Sequence, residues 1–316
     1  MRIFRCNPVT FERPIALTIG NFDGVHLGHR EILRRLVREA ATRDMISAVM
    51  IFDPQPAEFF NKETAPVRLS STREKVLAIA ECGVDVVIRM RFDSKFYLTA
   101  ADDFVRHTLA DQLNVGWLLI GDDFRFGAGR KGDFGLLKSI GSELGFLVEA
   151  HGTVSHKGHR VSSTAVREAL VNGDLGLAES LLGKGYNISG RVVRGDQLGR
   201  ELGFPTANIN LSRPTFPLRG IFTAMVSGIS KSERPALVSI GVRPTVTNHG
   251  DLKVEVYVLD FDGNLYGKRL GVRFLSKLRD ELKFDNESEL ISAMKNDEVA
   301  ARLFFQNQRL VDDRRS

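Results

Sequence analysis

Cysteine is scarce in this chain, and long apolar runs are missing. The two cysteines, Cys6 and Cys82, lie far apart and form no Cys-x-x-Cys pair. That argues against a disulfide framework or a thiolate metal site and fits a reducing cytoplasm. No uncharged apolar run reaches the ~18 residues that a spanning helix needs, and the opening MRIFRCNPVT lacks the apolar stretch of a secretion signal. No membrane role is expected. Charge of neither sign dominates: the net charge is +5, an excess that fits phosphate-bearing small molecules or weak nucleic-acid binding and by itself decides for neither; no nucleic-acid partner is expected. There is no Gly-x-x-x-x-Gly-Lys-Ser/Thr, hence no P-loop, and neither an internal repeat nor a low-complexity tract. At 316 residues, 43% hydrophobic and 26% charged, the chain has the make-up of a globular protein of about two domains.

The first part alternates strand and helix patterns. PIALTIG, ISAVMIF, VDVVIRM, VGWLLIG and FLVEA read as five strands. Between them, HREILRRLVREAA places Ile32, Leu33, Leu36, Val37 and Ala40 on one helical face. STREKVLAIAECG opens with a capping box from Ser71 to Glu74 and stops at Gly83. Further helices are expected from about Thr99 to Leu113, over GLLKSIGSELG, and over SSTAVREALVNG and DLGLAESLLG. This alternation implies a mostly parallel sheet covered on both faces, with ligands beyond the carboxyl ends of its strands. Near Gly183 the rhythm changes, so the expected division is 1–183 and 184–316. YNISGRVV, GIFTAMVSGI, PALVSIGV, KVEVYVLDF and RLGVRFLSKL are strand-like. Asp262-Gly263 signals a hairpin, and an amphipathic helix capped by Asn286 closes the chain. The second part reads as a small antiparallel barrel or sandwich with a closing helix.

Two patterns in the first part compete for attention. Gly127, Gly129 and Gly132 spell Gly-x-Gly-x-x-Gly, with Glu149 downstream. However, DDFRF separates them from the strand, so the tight strand-to-helix turn of a dinucleotide site is absent. The same basic, aromatic, Gly-rich loop has an RNA-binding reading, a phosphate-flap reading and a plain-loop reading. His-x-Gly-His occurs twice, at His26–His29 and His156–His159, so the four-residue pattern alone says little. The first copy follows an apolar strand and a Gly20-Asn21-Phe22-Asp23-Gly24 turn and starts a helix. There glycines let backbone approach a ligand, and the helix start attracts anions. Phosphate binding by the two imidazoles ranks first. A metal on His26, His29 and Asp23 ranks second, because spacing fixes no third ligand.

GNFDGVHLGHR, IFDPQPAEFF, RLSSTREK, GDDFRFG and RVSSTAVRE resemble the first half of the bacterial bifunctional riboflavin kinase/FMN adenylyltransferases, or FAD synthetases. GRELGFPTANINL, GIFTA, GVRPT and KVEVYVLDFDGNLYG resemble their riboflavin kinase half. The resemblance runs in order from about Pro14 to Arg302. Gln55 stands where the family usually has histidine, and Gly185 where a proline often follows.

That resemblance implies an α/β, Rossmann-like nucleotidyltransferase domain with a parallel sheet, then a mainly antiparallel β-barrel kinase domain with a closing helix. Riboflavin and ATP would give FMN, and FMN and ATP would give FAD and pyrophosphate. It implies that His26 and His29 act on ATP phosphates. Gly20, Phe22, Asp23, Gly24 and Gly28 would surround them, and Ser162, Ser163, Thr164 and Arg167 would form a second phosphate segment. The serines would serve equally as helix caps. Asp123 would lie by the adenosine. In the second half it implies Mg²⁺ on Thr206 and Asn208, presented by Gly203 and Pro205, and Glu255 as the base for the ribityl hydroxyl.

Overall fold

The computed structural model describes residues 1–5, 10–195, 199, 202–211, 213, 215–243 and 251–313. Cys6, Arg200 and Glu201 of GRELGFPTANINL, and the Pro244-Thr245 end of GVRPT lie outside the described residues. Two compact units emerge from the contacts: Met1–Pro66 with Thr72–Ser163, and Val67–Ser71 with Thr164–Ser316.

In the first unit six strands form one sheet: β1 (Arg2–Arg5), β2 (Ile15–Ile19), β3 (Ile46–Phe52), β4 (Val86–Met90), β5 (Val115–Gly121) and β6 (Leu147–His151). Their order is β1-β4-β3-β2-β5-β6, and every pairing is parallel. The sheet is covered on both faces, as the alternation requires. Ile15, Leu17, Met50, Leu118 and Ile120 pack with Leu109 and Leu137 on one side. Ala16, Val49, Ile51, Trp117 and Leu119 pack with Leu33, Leu36, Val76 and Ile79 on the other. Five of the six strands follow the apolar runs. The sixth, β1, is the four-residue RIFR, which borders β4 at the sheet edge. It is too short and too charged to stand out as a buried strand, and charge is how edge strands avoid unwanted pairing. The segment expected as a helix from Thr99 contains a short α turn, Ala101–Asp103, followed by the wider π-helix Phe104–Gln112, a widening that the apolar pattern does not encode.

After β6 come a two-stranded hairpin, β7 (Ser155–His156) and β8 (His159–Arg160), and the helices Ser163–Val171 and Leu175–Leu182. Asp174 caps the latter by accepting from the Leu177 N–H at 2.8 Å, and Gly183 ends it in the left-handed conformation. The second unit then closes as a six-stranded barrel: β9 (Asn187–Val193), β10 (Ala207–Asn210), β11 (Gly220–Ser227), β12 (Arg234–Arg243), β13 (Asp251–Val258) and β14 (Arg269–Arg279). Its order is β10-β13-β12-β11-β14-β9, antiparallel throughout. Full closure removes open edges. The helix Glu287–Asp313 follows, with Asn286 Oδ1 accepting from the Glu289 N–H at 2.9 Å. The expected Asp262-Gly263 hairpin is absent: β13 pairs with β10 and β12, whereas β14 pairs with β11 and β9. The segment crosses between strands that are not neighbours, which a two-residue turn cannot do.

Candidate active sites

In the first unit the chain runs outward from β2 to β3 to β4 and returns to β5 on the other side of β2. The reversal point of an open parallel sheet, beyond its carboxyl ends, is where ligands bind. Two loops meet that description here, those leaving β2 and β5. The β2 loop is strained: Phe22, Gly24 and Val25 have φ of 47°, 80° and 41°, and left-handed backbone at a β-branched valine is costly. Gly20 donates its N–H to the Met50 carbonyl (3.1 Å), while Phe22 and Asp23 are buried. This turn delivers His26 as the buried N-cap of the helix Leu27–Thr42. The His26 Nδ1 accepts from the His29 N–H at 3.2 Å. In that bond Nδ1 carries no proton, so the ring presents Nε2–H as a donor. The His29 ring stacks on His26 at 3.6 Å and lies 4.9 Å from the Phe22 ring. A Cβ on Gly28 would sit 3.3 Å from the His26 ring and 3.6 Å from Val154, so a glycine leaves that ring its place. Ser163 donates its hydroxyl to the Asp23 carbonyl (3.0 Å). It thereby ties down the strained turn.

Asp123 is exposed in the turn Gly121–Phe124 at the end of β5, closed by Phe124 N–H to Gly121 O at 3.1 Å. His151, at the end of β6, approaches the same point: a Cβ on Gly121 would lie 2.7 Å from Asp123 Oδ1 and 3.7 Å from the His151 ring. Ser162 precedes the helix Ser163–Val171, whereas Thr164 and Arg167 group with the second unit, where the Arg167 Nε donates to the Val67 carbonyl at 2.6 Å.

Sequence reasoning passed over an aromatic cluster at the ends of β3 and β4. Phe52 lies 5.7 Å from Phe92 and 5.5 Å from Phe96, Phe59 lies 5.3 Å from Phe92, and Phe60 lies 4.9 Å from Tyr97. None is fully buried, and Phe60 is 57% exposed. A partly exposed aromatic cluster of this kind is a candidate binding surface. The signal was available in EFF after one strand and FDSKFY after the next.

The competing glycine pattern resolves into packing. Phe126 and Gly132 pair across an isolated bridge, and a Cβ on Gly127 would lie 2.6 Å from the Ala101 backbone. Glu149, downstream of those glycines, accepts from the Trp117 indole at 2.8 Å and pairs with Arg35. Among the described residues no three His, Cys, Asp or Glu side chains converge to hold a metal. The His26–His29–Asp23 metal reading therefore lacks its third ligand.

In the second unit a cavity of about 510 Å³ is lined by Pro205, Thr206 and Asn208, by Val256 and Val258 of β13, and by the segment Phe261–Tyr266. Its volume is in the range of small-molecule sites. Gly203, with φ of 86°, turns the chain into Pro205. Thr206 and Asn208 are two residues apart and share the cavity. Glu255 sits directly opposite Asn208 in the β10–β13 ladder, a pairing that puts Cβ atoms about 5 Å apart. It is half-buried and outside the cavity lining itself. Tyr257, two residues on, packs on Phe204 at 5.4 Å, and burial raises its phenol above the ordinary value, with Glu298 adding to the effect. The lining contributed by Asp262, Asn264 and Tyr266 was not foreseen, because the hairpin reading hid it.

A parallel sheet with a histidine-led helix at its reversal point, joined to a closed barrel with hard oxygen donors beside a cavity, defines an α/β transferase-like unit coupled to a small barrel. The family model for FAD synthetase matches residues 9–165, and the model for riboflavin kinase matches residues 182–305. The chain is 47% identical over 289 residues to a bifunctional riboflavin kinase/FMN adenylyltransferase of Escherichia coli (strain K12), covering 92% of each. It is 44% identical to that of Haemophilus influenzae, covering 92% of this chain and 94% of the relative. A crystal structure from Streptococcus pneumoniae, described as a macrolide-efflux protein, matches with a TM-score of 0.80 at 27% identity, over 95% of this chain and 98% of that one. The chain belongs to the bifunctional riboflavin kinase/FMN adenylyltransferase family. Among its described residues no helix is long and apolar enough to cross a membrane.

Proposed function

We infer that this chain carries both activities of its family and divides them, with FMN adenylylation in residues 1–183 and riboflavin phosphorylation in residues 184–316. The observation that carries this reading is the coexistence of two unlike centres. One is a histidine-led helix start at the sheet's reversal point. The other is a cavity where Thr206 and Asn208 stand beside Glu255. We read its compartment as the cytoplasm, on the two unpaired-spacing cysteines.

In adenylylation the FMN phosphate oxygen attacks the α-phosphorus of ATP, a new P–O bond forms and the α–β bridge breaks to release pyrophosphate. No enzyme nucleophile is needed; the protein aligns two anions and neutralises charge as it builds. The His26 Nε2–H and the His29 ring are the donors for the triphosphate at the positive end of the helix, and Gly28 lets that backbone come near. Ser162, Ser163, Thr164 and Arg167 supply a second phosphate segment. Asp123 receives the adenosine side, with Gly20, Phe22, Asp23 and Gly24 shaping the turn. The aromatic cluster around Phe52, Phe59 and Phe92 offers the isoalloxazine a stacking surface.

In phosphorylation the riboflavin 5′-hydroxyl attacks the γ-phosphorus and ADP leaves. Glu255 takes the hydroxyl proton. Thr206 and Asn208 fit Mg²⁺: both offer hard oxygens into one cavity, and Mg²⁺ takes few protein ligands, leaving the rest to phosphates and water. When bound, it would neutralise phosphate charge. Gly203 and Pro205 fix the presentation of those two oxygens.

The test is Glu255→Gln, assayed with riboflavin, ATP and Mg²⁺ and, separately, with FMN and ATP. Glutamine keeps the shape but accepts no proton, so FMN production should fall about 10²- to 10⁴-fold, chiefly in kcat, while FAD formation from added FMN persists. Wild-type kinase turnover would remove Glu255 from the chemistry. The division is tested by fragments. A 184–316 fragment should phosphorylate riboflavin and never make FAD. It loses Leu69, whose carbonyl accepts from the buried Tyr186 hydroxyl at 2.9 Å, an orphaning that costs about 1–3 kcal/mol. Its melting point should therefore be lowered, and a folded fragment without kinase activity would refute the division.

A further inference from the structure

The closing helix has no part in the chemistry above, yet it grips the cavity wall. Six consecutive residues, Phe261–Tyr266, line the cavity. Backbone hydrogen bonds fix the chain on both sides of them: Leu259 N–H donates to Pro235 O at 3.0 Å and Gly267 N–H to Val192 O at 3.0 Å. At the far end the wall is further braced, with Lys268 N–H donating to Leu265 O and Tyr266 N–H to Asn264 Oδ1. At the near end it begins at Asp260, a non-glycine residue with φ of 52°. Arg302 of the closing helix holds that carboxylate with both arms of its fork, Nη1 to Oδ2 at 3.1 Å and Nη2 to Oδ1 at 2.8 Å. Glu298, one turn back, accepts from the same guanidinium at Nε (3.0 Å) and Nη2 (2.7 Å), fixing its orientation. The helix is seated by Ala301 and Phe305 against Leu259 and Tyr257, so the guanidinium is presented from a rigid element.

We propose that Arg302 is a positioning residue of the kinase centre: its bidentate hold on Asp260 sets where the Phe261–Tyr266 wall starts and so the shape in which the cavity receives substrate. The proposal rests on the kinase reading of that cavity. Arg302 and Asp260 are 45% and 72% exposed, and exposed pairs contribute little to overall stability. What a two-armed guanidinium adds is direction. The backbone at Asp260 is left-handed, a conformation that is costly for a residue other than glycine, and the Arg302 fork helps to hold it there.

Arg302→Gln in the full chain should raise the KM for riboflavin or ATP in phosphorylation about three- to tenfold, with kcat within about twofold and FAD formation from added FMN unchanged. Arg302→Lys, which keeps the charge and loses the fork, should recover part of the KM. Asp260→Asn should shift the KM in the same direction as Arg302→Gln, and the double variant should be less than additive, since the two share the Arg302–Asp260 contact while Arg302→Gln also frees Glu298. Amide exchange over Phe261–Tyr266, which needs no substrate, should quicken in each variant. Unchanged KM values with only a lower melting temperature would overturn the proposal, as would additive effects in the double variant or unchanged exchange in that segment. If the unaltered protein fails to phosphorylate riboflavin, the kinase reading falls, and the exchange measurement still decides whether Arg302 holds the wall.

Discussion

His-x-Gly-His occurs at two places within one unit and does two unrelated things. At His26–His29 the pattern crosses from a strained turn into a helix, the first ring caps that helix, and the glycine sits in helical backbone under the ring. At His156–His159 the histidines are opposed partners across a two-residue hairpin. There Lys157 and Gly158 have φ of 48° and 81°, as a turn positive at both central residues demands. One glycine is there for space and the other for its backbone angle. The same letters therefore cap a helix or turn a hairpin according to the element that precedes them: the buried β2 in one case, a polar loop in the other.

The sharpest way to break this comparison is to remove one histidine from each copy. His29→Ala should lower FAD formation from FMN about a hundredfold, the order expected when one preorganised donor to developing charge is lost, and leave riboflavin phosphorylation within about twofold. His159→Ala should change neither. Equal loss of both activities on His29→Ala would make that histidine structural. A His159→Ala variant as defective as His29→Ala would erase the distinction between the copies.

Exchanging the glycines should produce smaller and opposite signatures. Alanine at Gly28 is favourable for the helix by up to about 1 kcal/mol, yet its Cβ would press on the His26 ring at 3.3 Å. That ring is held by the His29 N–H and stacked on the His29 ring. Gly28→Ala should keep its melting temperature and lose adenylylation about tenfold. Gly158→Ala meets no atom within 4 Å, so its only cost is the left-handed backbone, about 1 kcal/mol. It should speed amide exchange at Val161, whose N–H donates to Val154 O at 2.9 Å, without altering turnover. A destabilised but fully active Gly28→Ala would show that the glycine serves the fold alone.

How much of this was readable beforehand follows from where the information lay. β2, β3 and β5 are buried on both faces, so continuous apolar runs betray them. β1 and β10 are four residues each and carry charged or polar side chains, Arg2 and Arg5 in one, Asn208 and Asn210 in the other. Their existence depends on partners, β4 for one and β9 and β13 for the other, that no local pattern reveals. The His26 turn was legible because glycines, a strand end and a helix start coincide in sequence. The cavity wall after Asp260 was not: Asp262-Gly263 is a true turn signal, but only the barrel's strand order shows that it spans non-neighbours. The aromatic cluster assembles from two loops more than thirty residues apart, so it is a fact of topology before it is one of sequence.

The smallest expected effect sharpens the hairpin side of the comparison. Lys157 occupies the first central position of its turn with φ of 48°, a conformation that a straight-chain residue enters at a cost and asparagine enters readily. Lys157→Asn should therefore stabilise the hairpin by about 0.5–1 kcal/mol, slowing exchange at Val161. The gain should stay local, because β7 and β8 pair only with each other among the described strands. The global melting temperature should move little. Neither activity should change if this His-x-Gly-His serves only as a turn. The variant also removes one positive charge near the tip, which a phosphate-binding role could not ignore. A rise in the KM for ATP in adenylylation with hairpin exchange slowed would mean that the second copy also meets substrate, and the two would then differ in backbone but not in purpose.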